Sequence, residues 1–251
     1  MKNNKAIYST IEFDSWAFRE GLIDTERFLI EQYLDKEGKT LEAGTGGGRI
    51  LLEMKKMGFK SLCGFDFVEE FIEIAKKKDT SGNIMFEVQD ATSLSYLDSS
   101  FDQVIYLQQI ISFILDEDKR LKAIKEAYRV LKPGGRALFS FLSFEARSRD
   151  FQYLLFLLYL KALRLIFKRR ISIQYLPWLK LGGRLNLKAF LDAEPYVFWY
   201  KLQELRMFLQ GAGFKILAVG STHQIKKGTM LSWDKLKEKD VKGMLYVVCS
   251  K

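Results

Sequence analysis

The sequence predicts an α/β fold, in which the strands of a sheet alternate along the chain with helices. A short apolar run that includes Leu41 bends through a few glycines into a helical pattern, and further apolar runs alternate with amphipathic segments downstream. The chain has 251 residues, of which 48% are hydrophobic, so it is long enough for one α/β domain with an insertion or for two small domains. We therefore expect a globular protein with a sizeable apolar core.

The first predicted strand and helix flank a glycine turn. Gly44, Gly46 and Gly48 stand at alternate positions just before the helical run 50–54. Glycine reaches positive φ and lets the backbone approach a ligand, and a strand, a glycine turn and a helix N-terminus together form a nucleotide-type site. The dinucleotide pattern G-x-G-x-x-G would need glycine where this chain has Arg49, which argues against NAD and FAD. The alternative is a tight turn that binds no ligand.

Two helices are predicted before this strand. Apolar positions between residues 13 and 34 recur at roughly helical spacing, and Asp24 marks the start of the second helix. The aromatic residues Tyr8, Trp16 and Phe18 form either a lid over a cofactor or, as aromatic residues at helical spacing more often do, part of the core.

Three more strands are predicted after the glycine turn, at 61–66, 84–88 and 101–107. The first of them ends on Asp66. A carboxylate there can accept both hydroxyls of a ribose or, alternatively, cap the following helix. A helix ends near residue 131, the run Lys132-Pro133-Gly134-Gly135 stops it, and a fifth strand is predicted from residue 136.

Residues 42–48, with the sequence Glu-Ala-Gly-Thr-Gly-Gly-Gly, resemble motif I of the class I S-adenosylmethionine-dependent methyltransferases. Further segments resemble that family in its own order: the acidic loop 89–94, the fourth strand 101–107, the turn 129–135 and the last helix with its Ala-Gly-Phe turn at 200–214. The resemblance covers residues 39–144 and 199–251. It implies a Rossmann-like three-layer sandwich with a seven-stranded, mostly parallel sheet, an antiparallel last strand and a helical insertion after the fifth strand. It also implies S-adenosyl-L-methionine as cofactor and methyl transfer as activity.

The resemblance carries binding roles onto the matching positions. Asp66 is expected to accept the ribose hydroxyls, Asp90 to reach the adenine amino group, and the backbone N–H of Ala91 to face the adenine ring. Leu107 and Gln108 are expected under the methionine portion of the cofactor. The full set of expected cofactor-binding residues is Glu42, Gly44, Gly46, Gly48, Asp66, Phe67, Asp90, Ala91, Leu107 and Gln108.

Methyl transfer from a sulfonium is a direct displacement, so the main tasks of the protein are alignment and exclusion of water. Methyl transfer does not always need a catalytic side chain, although an oxygen or nitrogen acceptor can require a base. The only histidine, His223, follows the sixth predicted strand and is a candidate base, with a surface position as the alternative. We assign no metal ligands.

Residues 145–198 separate the fifth strand from the last helix, where the family usually has a short connection. An insertion there lies over the carboxyl ends of the strands, where ligands of open α/β sheets bind. Its aromatic residues include Tyr175, Trp178, Tyr196, Phe198 and Trp199. We therefore expect this segment to bind a small acceptor of apolar or aromatic character.

The insertion also concentrates positive charge. Between residues 145 and 194 the sequence has ten basic and four acidic residues, so this segment carries +6 of the net +9. The run 151–167 is strongly apolar, but Lys161 and Arg164 interrupt it before the ~18–20 residues that a membrane span needs. Lys161, Arg164 and Lys168 are predicted to form one basic stripe. The helix within 151–170 either lies on an anionic membrane surface or acts as a lid packed on the sheet or on a second subunit, and we prefer the lid.

The predicted organisation is an N-terminal helical cap (1–38), a cofactor-binding core (39–144 and 199–251) and the insertion (145–198). Cys63 and Cys249 lie in apolar runs and are expected to be buried free thiols in a reducing compartment. The polar start of the chain shows no secretory signal, so we expect a cytoplasmic protein, with peripheral membrane contact as an alternative.

Two other functions stay open. Nucleic-acid methylation is favoured only by the positive charge, because the sequence Leu107-Gln108-Gln109-Ile110 differs from the Asn/Asp-Pro-Pro-Tyr of amino-group methylases. The other is a binding module that keeps the cofactor pocket and performs no transfer. Intact Asp66 and Asp90 argue against decay of that pocket.

Overall fold

A computed structural model describes residues 5–251 of the chain. Three helices precede the sheet, namely α1 (Lys5–Tyr8), α2 (Phe13–Ala17) and α3 (Asp24–Tyr33). The predicted helix start at Asp24 is correct. The backbone N–H of Ile23 donates to the Glu26 carboxylate at 3.0 Å, which satisfies one of the amides left free at a helix N-terminus.

Strands and helices then follow in the predicted order, with only a loop between the third and fourth strands. The elements are β1 (Lys39–Ala43), α4 (Arg49–Lys56), β2 (Ser61–Asp66), α5 (Glu69–Lys78), β3 (Ile84–Val88), β4 (Phe101–Tyr106), α6 (Glu117–Val130) and β5 (Leu131–Phe141). Helix α6 begins after Asp116, whose side chain accepts the Lys119 N–H at 2.9 Å. Acidic residues in its first turn and Arg129 in its last turn complement the helix dipole.

The insertion and the C-terminal part complete the chain. The insertion contains α7 (Phe144–Ser148), α8 (Phe151–Ile166), β6 (Tyr175–Pro177), β7 (Lys180–Leu181), β8 (Arg184–Leu185) and β9 (Tyr196–Phe198). It is followed by α9 (Leu202–Gly211), β10 (Lys215–Ser221), α10 (Thr222–Ile225) and β11 (Leu245–Ser250). Strands β6 and β9 form one antiparallel pair, and β7 and β8 form another.

One seven-stranded sheet has the order β3-β2-β1-β4-β5-β11-β10. The neighbours from β3 to β5 pair in parallel, whereas β11 runs antiparallel to both β5 and β10. The predicted Rossmann-like fold with an antiparallel last strand is therefore confirmed. The strand order reverses between β1 and β4, so the carboxyl ends of these two strands flank the crevice where such sheets bind ligands.

Two apolar clusters cover the two faces of the sheet. Val104 of β4 packs on the face covered by α6 and α9, and the next residue, Ile105, packs on the face covered by α3, α4 and α5. Successive strand residues point to opposite faces, and both faces are covered, so the run 104–106 of β4 is apolar without alternation.

The fifth strand begins earlier than predicted. Helix α6 stops at Val130 as expected, but pairing with β4 starts at once at Leu131 and shifts register before Arg136. The residues between them form a bulge, which Gly134 permits through its φ of +78°. Gly135 lies so close to β4 that a Cβ would stand 2.8 Å from the Asp102 carbonyl oxygen. The run that interrupts the helix is therefore part of the strand.

Helix α8 does not pack on the sheet, as the preferred lid arrangement would require. Its buried side chains, Leu157 and Leu160, pack with Leu176 inside the insertion and not on the sheet, while its outer face is exposed. The predicted basic stripe is wrong at Arg164, which is only 5% exposed because it turns inward to Asp192. No helix within residues 5–251 combines the length and the apolar content that crossing a bilayer would take.

Candidate active site

The glycine turn between β1 and α4 is held by an acid from the next strand. Gly44, Gly46 and Gly48 have φ values of +61°, +53° and +78°. The Gly46 N–H donates to Asp66 Oδ2 at 3.0 Å. A Cβ at Gly44 would stand 2.3 Å from Ile110 Cδ1. The turn therefore needs glycine for its backbone conformation, and a side chain at Gly44 would also displace the end of the Ile110 side chain.

The N-terminal helices cover this turn. The Gly47 N–H donates to the Trp16 carbonyl oxygen at 3.2 Å, and a Cβ at Gly47 would stand 2.0 Å from the Ala17 carbonyl oxygen. Phe13 stacks on Phe71 of α5 with ring centroids 5.1 Å apart. Helix α2 is thus fixed against the turn by backbone contact as well as by ring packing.

Asp66 ends β2 and is only 5% exposed. Besides Gly46, its carboxylate accepts the Val68 N–H at 3.1 Å, immediately before α5. Burial raises the pKa of this carboxyl to about 6, and the hydrogen bonds from the backbone amides oppose the shift. The side chain therefore fixes the backbone just before α5 and also lines the cavity described next.

A cavity of about 460 Å³ opens beside the glycine turn, and we call it the first cavity. Of the predicted binding residues it is lined by Gly44, Gly46, Asp66, Phe67, Asp90, Ala91 and Gln108. Its other lining residues are Tyr8, Trp16, Phe71, Gln89, Thr92, Ile110, Phe113, Ile114, Leu115, Asp116 and Lys119. Tyr8 and Trp16, for which the sequence allows a lid or a core position, line this cavity, whereas Phe18 is 54% exposed and is not part of the lining.

Three predicted residues do not line the first cavity. Leu107 is buried in the core, and a Cβ at Gly48 would stand 2.9 Å from the ring of Phe86, so this glycine serves packing. Glu42 lies beneath the turn, where it accepts a hydrogen bond from the Thr45 hydroxyl at 2.6 Å. Burial raises the pKa of Glu42 to about 8 against the effect of this bond.

The candidate base His223 is exposed on α10 and lines neither this cavity nor the second one described below. Asp90 is exposed at the end of β3, and its Oδ1 accepts both the N–H and the hydroxyl of Thr92 at 2.8 Å.

A buried ion pair is connected to the lining of the first cavity through Gln108. Arg49 donates to both carboxylate oxygens of Glu26, at 2.6 and 2.7 Å, and so joins α4 to α3. Gln108 also donates to Glu26. Gln108 and Gln109 both have positive φ, at +58° and +59°, a backbone conformation that is costly outside glycine and often found at functional sites. Sequence reasoning missed this network, although Arg49 at the expected place of a glycine was a signal.

A second cavity of about 280 Å³ adjoins the first. Three residues, Tyr8, Trp16 and Phe113, belong to the lining of both. The rest of the second cavity is lined by Glu12, Arg147, Pro177, Trp178, Leu179, Lys180, Gly183, Val197 and Trp199, nearly all from the insertion. Tyr8 contacts Phe67, Phe113 and Trp178 edge-on, with ring centroids 6.3, 6.0 and 5.9 Å apart.

The two cavities differ in chemistry. The first offers carboxylates and a glycine backbone, which suits a ligand with hydroxyl and amino groups. The second is walled mostly by aromatic and aliphatic side chains. Because they share a wall of three aromatic rings, two ligands bound in them would lie side by side. Among residues 5–251 no group of three or more His, Cys, Asp and Glu side chains could hold a metal ion.

Comparison with known protein families points to one family. A methyltransferase domain family matches residues 40–135. A ubiquinone/menaquinone biosynthesis C-methyltransferase of Geobacter sp. (strain M21) is 33% identical over 163 residues, which cover 60% of this chain and 66% of that protein. A putative methyltransferase of Bacillus subtilis is 31% identical over 111 residues, or 44% of each chain. This chain thus spans between about half and two thirds of the length of these curated relatives.

Solved structures share the fold across nearly the whole chain. A methyltransferase from Methanosarcina mazei, described as dependent on S-adenosylmethionine, superposes with a TM-score of 0.63 at 22% identity and covers 89% of this chain and 96% of its own. A protein from Pyrococcus horikoshii has the same TM-score at 20% identity and covers 98% of both chains. At these identities the likeness concerns the fold alone.

Proposed function

Because the chain belongs to the class I S-adenosylmethionine-dependent methyltransferases, we propose that it transfers a methyl group to a small acceptor of apolar or aromatic character. The observation that carries the proposal is the pair of adjoining cavities, one beside the glycine turn and the other walled by the insertion. Tyr8, Trp16 and Phe113 line both cavities, so a cofactor in the first and an acceptor in the second would meet at the boundary that these rings border, with water excluded.

The first cavity fits S-adenosyl-L-methionine. Without side chains at Gly44 and Gly46 a ligand can approach the backbone closely, and Asp66 offers carboxylate oxygens for ribose hydroxyls. Asp90 keeps Oδ2 free for the adenine amino group, and Gln108 lines the end of the cavity after β4. When bound, the cofactor supplies an electrophilic methyl group on a sulfonium. Glu42 would act through Thr45, by holding the turn, and not by direct contact.

The second cavity would hold the acceptor. Trp178 and Pro177 of the insertion face the aromatic wall, and an aromatic ring could stack among them. Several relatives of this chain are named as ubiquinone/menaquinone C-methyltransferases, which favours an aromatic acceptor with an apolar substituent. This acceptor would lose a proton on methylation. Glu12 lines the second cavity, and we propose it as the group that receives this proton in place of the exposed His223.

The outer surface of the insertion supports the proposed contact with a membrane. Large exposed apolar side chains, here called the outer apolar surface, are Phe151, Leu154, Leu155, Leu158, Leu165, Ile166, Phe167, Leu185, Leu187, Phe190 and Leu191. These residues come from the segments 151–167 and 185–191. The two segments adjoin, because the Tyr159 hydroxyl donates to the Phe190 carbonyl oxygen at 2.6 Å. Exposed bases in the same stretches of the chain are Lys161, Lys168, Arg169, Arg170, Arg184 and Lys188. Exposed apolar side chains accompanied by bases match an anionic bilayer surface, from which a lipid-like acceptor could enter.

The test of the proposed function is formation of S-adenosylhomocysteine with a panel of phenolic and lipid-like acceptors. We expect turnover with at least one acceptor and a large loss in Trp178→Ala, while cofactor binding measured by calorimetry stays unchanged. Trp233→Ala, which removes a tryptophan outside both cavities, serves as the control. Turnover with oligonucleotides alone would favour nucleic-acid methylation, and cofactor binding without any turnover would favour the non-catalytic module.

A further inference from the structure

We propose that the second cavity contains an anion-binding subsite, formed by Arg147 and Trp199, which recognises a carboxylate or phosphate at one end of an apolar ligand. In the proposed reaction this ligand is the methyl acceptor, so the inference rests on the proposed function and specifies the acceptor class.

Arg147 is half-buried and differs from the buried arginines of the chain. Its guanidinium carbon lies 3.2 Å from the ring centroid of Tyr153 and 4.6 Å from that of Trp199, so aromatic rings flank the cation. Over residues 5–251, no carboxylate is within ion-pair distance of Arg147, and its buried Nε has no acceptor. Arg49 and Arg164, in contrast, each hold a carboxylate by two hydrogen bonds.

Arg120 is a useful comparison because it also has no acid beside it. It donates to the carbonyl oxygens of Ile114 and Leu115 at 3.0 and 2.9 Å, so its charge is satisfied by backbone. The side chain of Arg147 has no such carbonyl partner. Burial lowers the pKa of Arg147, with Tyr153 and Asp150 acting in the opposite sense, but guanidinium groups remain protonated in proteins. A desolvated cation without a counter-ion gains most from an anion that enters its cavity.

A second donor points to the same kind of ligand. The Trp199 Nε1–H is buried and has no acceptor, and Trp199 lines the second cavity together with Arg147. Buried donors without acceptors are rare in native structures, so two of them on residues that line one small cavity favour a ligand with acceptor oxygens. A carboxylate or phosphate has enough oxygens to accept from both. Lys180 adds a positive charge to the same lining.

The rest of the cavity defines the other end of this ligand. Pro177, Trp178 and Val197 form an apolar wall, and about 280 Å³ accommodates one or two fused rings. Tyr8 and Phe113 continue this wall toward the first cavity. The apolar body of the ligand would therefore point toward the first cavity, with the anion at Arg147.

Equilibrium binding of matched probes tests this subsite without any need for turnover. The probes are 2-naphthoate, 2-naphthyl phosphate and neutral 2-naphthalenemethanol, titrated into the full chain with S-adenosylhomocysteine present. We expect one or both anions to bind about ten- to hundredfold more tightly than the alcohol, since hydrogen bonds to charged groups are strong. The two anionic probes distinguish carboxylate from phosphate recognition.

Arg147→Gln should abolish the preference for the anions and leave the affinity for the alcohol nearly unchanged. Arg147→Lys, which keeps a positive charge, should retain part of the preference for the anions. Arg149→Gln is the matched control, because Arg149 is exposed and pairs with Glu238. Unchanged S-adenosylhomocysteine affinity shows that each variant is folded. The subsite is overturned if the unmodified chain binds the anions no more tightly than the alcohol, or does not bind them. It is also overturned if Arg149→Gln loses as much of the preference for anions as Arg147→Gln does. Intact probe preference without any methyl transfer would instead count against the proposed function alone.

Discussion

The sheet core and the insertion are stabilised in different ways. The core buries two large apolar clusters on the faces of seven hydrogen-bonded strands. The insertion has a cluster of only three buried residues, Leu157, Leu160 and Leu176, and relies on a buried ion pair between Arg164 and Asp192. The predicted cofactor residues belong to the well-packed core, whereas most of the second cavity belongs to the less robust insertion. One region can therefore be perturbed while the other is monitored.

Removal of the acid from the insertion's ion pair should have the largest effect. Asp192 is 0% exposed and accepts from Arg164 Nε and Nη2 at 2.8 and 2.6 Å. Asp192→Ala leaves the buried Arg164 with carbonyl partners but without its counter-ion, which costs about 3–5 kcal/mol of stability. We expect fast amide hydrogen exchange across 145–198, unchanged exchange in β1 to β5, and nearly unchanged cofactor affinity.

The matched control is Glu238→Gln, which breaks the exposed pair with Arg149 and should change stability by less than about 1 kcal/mol. If Asp192→Ala unfolds the sheet together with the insertion, the two regions form one cooperative unit and the comparison fails.

The outer apolar surface should produce the next largest effect. Each base near an anionic bilayer contributes about 1 kcal/mol, so Lys161, Lys168 and Arg170 changed together to glutamine should weaken vesicle binding about a hundredfold. Arg164 is left intact because it is structural. The measurement is co-sedimentation with vesicles that contain anionic lipid.

Changing three exposed bases of the core, Lys122, Lys125 and Lys215, to glutamine gives an equally charged control that should bind vesicles nearly normally. If the protein dimerises in solution and does not bind vesicles, a second copy and not lipid covers the outer apolar surface.

In the core, Asp66→Ala tests the cofactor role. The change removes a buried carboxylate that would accept ribose hydroxyls, so we expect S-adenosylmethionine to bind about ten- to hundredfold more weakly, or about 1.4–2.7 kcal/mol. The insertion should keep its slow hydrogen exchange. Calorimetric titration measures the affinity, and an unchanged value would mean that Asp66 serves only the turn and the start of α5.

The smallest predicted effect is that of pH on the same carboxyl. With a pKa of about 6, Asp66 is mostly protonated at pH 5, and cofactor affinity should fall about tenfold there relative to pH 7. Since this pKa is raised above its unfolded value, the contribution of Asp66 to the stability of the cofactor-free protein is present below about pH 4 and is lost as pH rises through 6. Asp66→Asn should remove both dependences, and a variant that retains them would assign the titration to another group.

Sequence reasoning succeeded where structure follows from local pattern. The strands, the glycine turn and the fold could be predicted because apolar runs, glycine and carboxylates recur at fixed distances along the chain. Arg164 was misassigned because only the fold brings it to Asp192, 28 residues away. The same reason hid the pairing of Arg49 with Glu26 and the unpaired state of Arg147. Contacts between distant segments produce no repeating pattern in the sequence, and the insertion is held together mainly by such contacts.

The shared wall of Tyr8, Trp16 and Phe113 has a thermodynamic consequence. A ligand that fixes these three rings in one cavity favours or hinders the binding of a second ligand in the other cavity. Thermodynamic linkage then requires that the effect is reciprocal. If the first ligand changes the dissociation constant of the second by some factor, the second ligand changes the dissociation constant of the first by the same factor. The rings thus act as a coupling element, and one pair of titrations, each with the other cavity filled and empty, measures its strength in both directions.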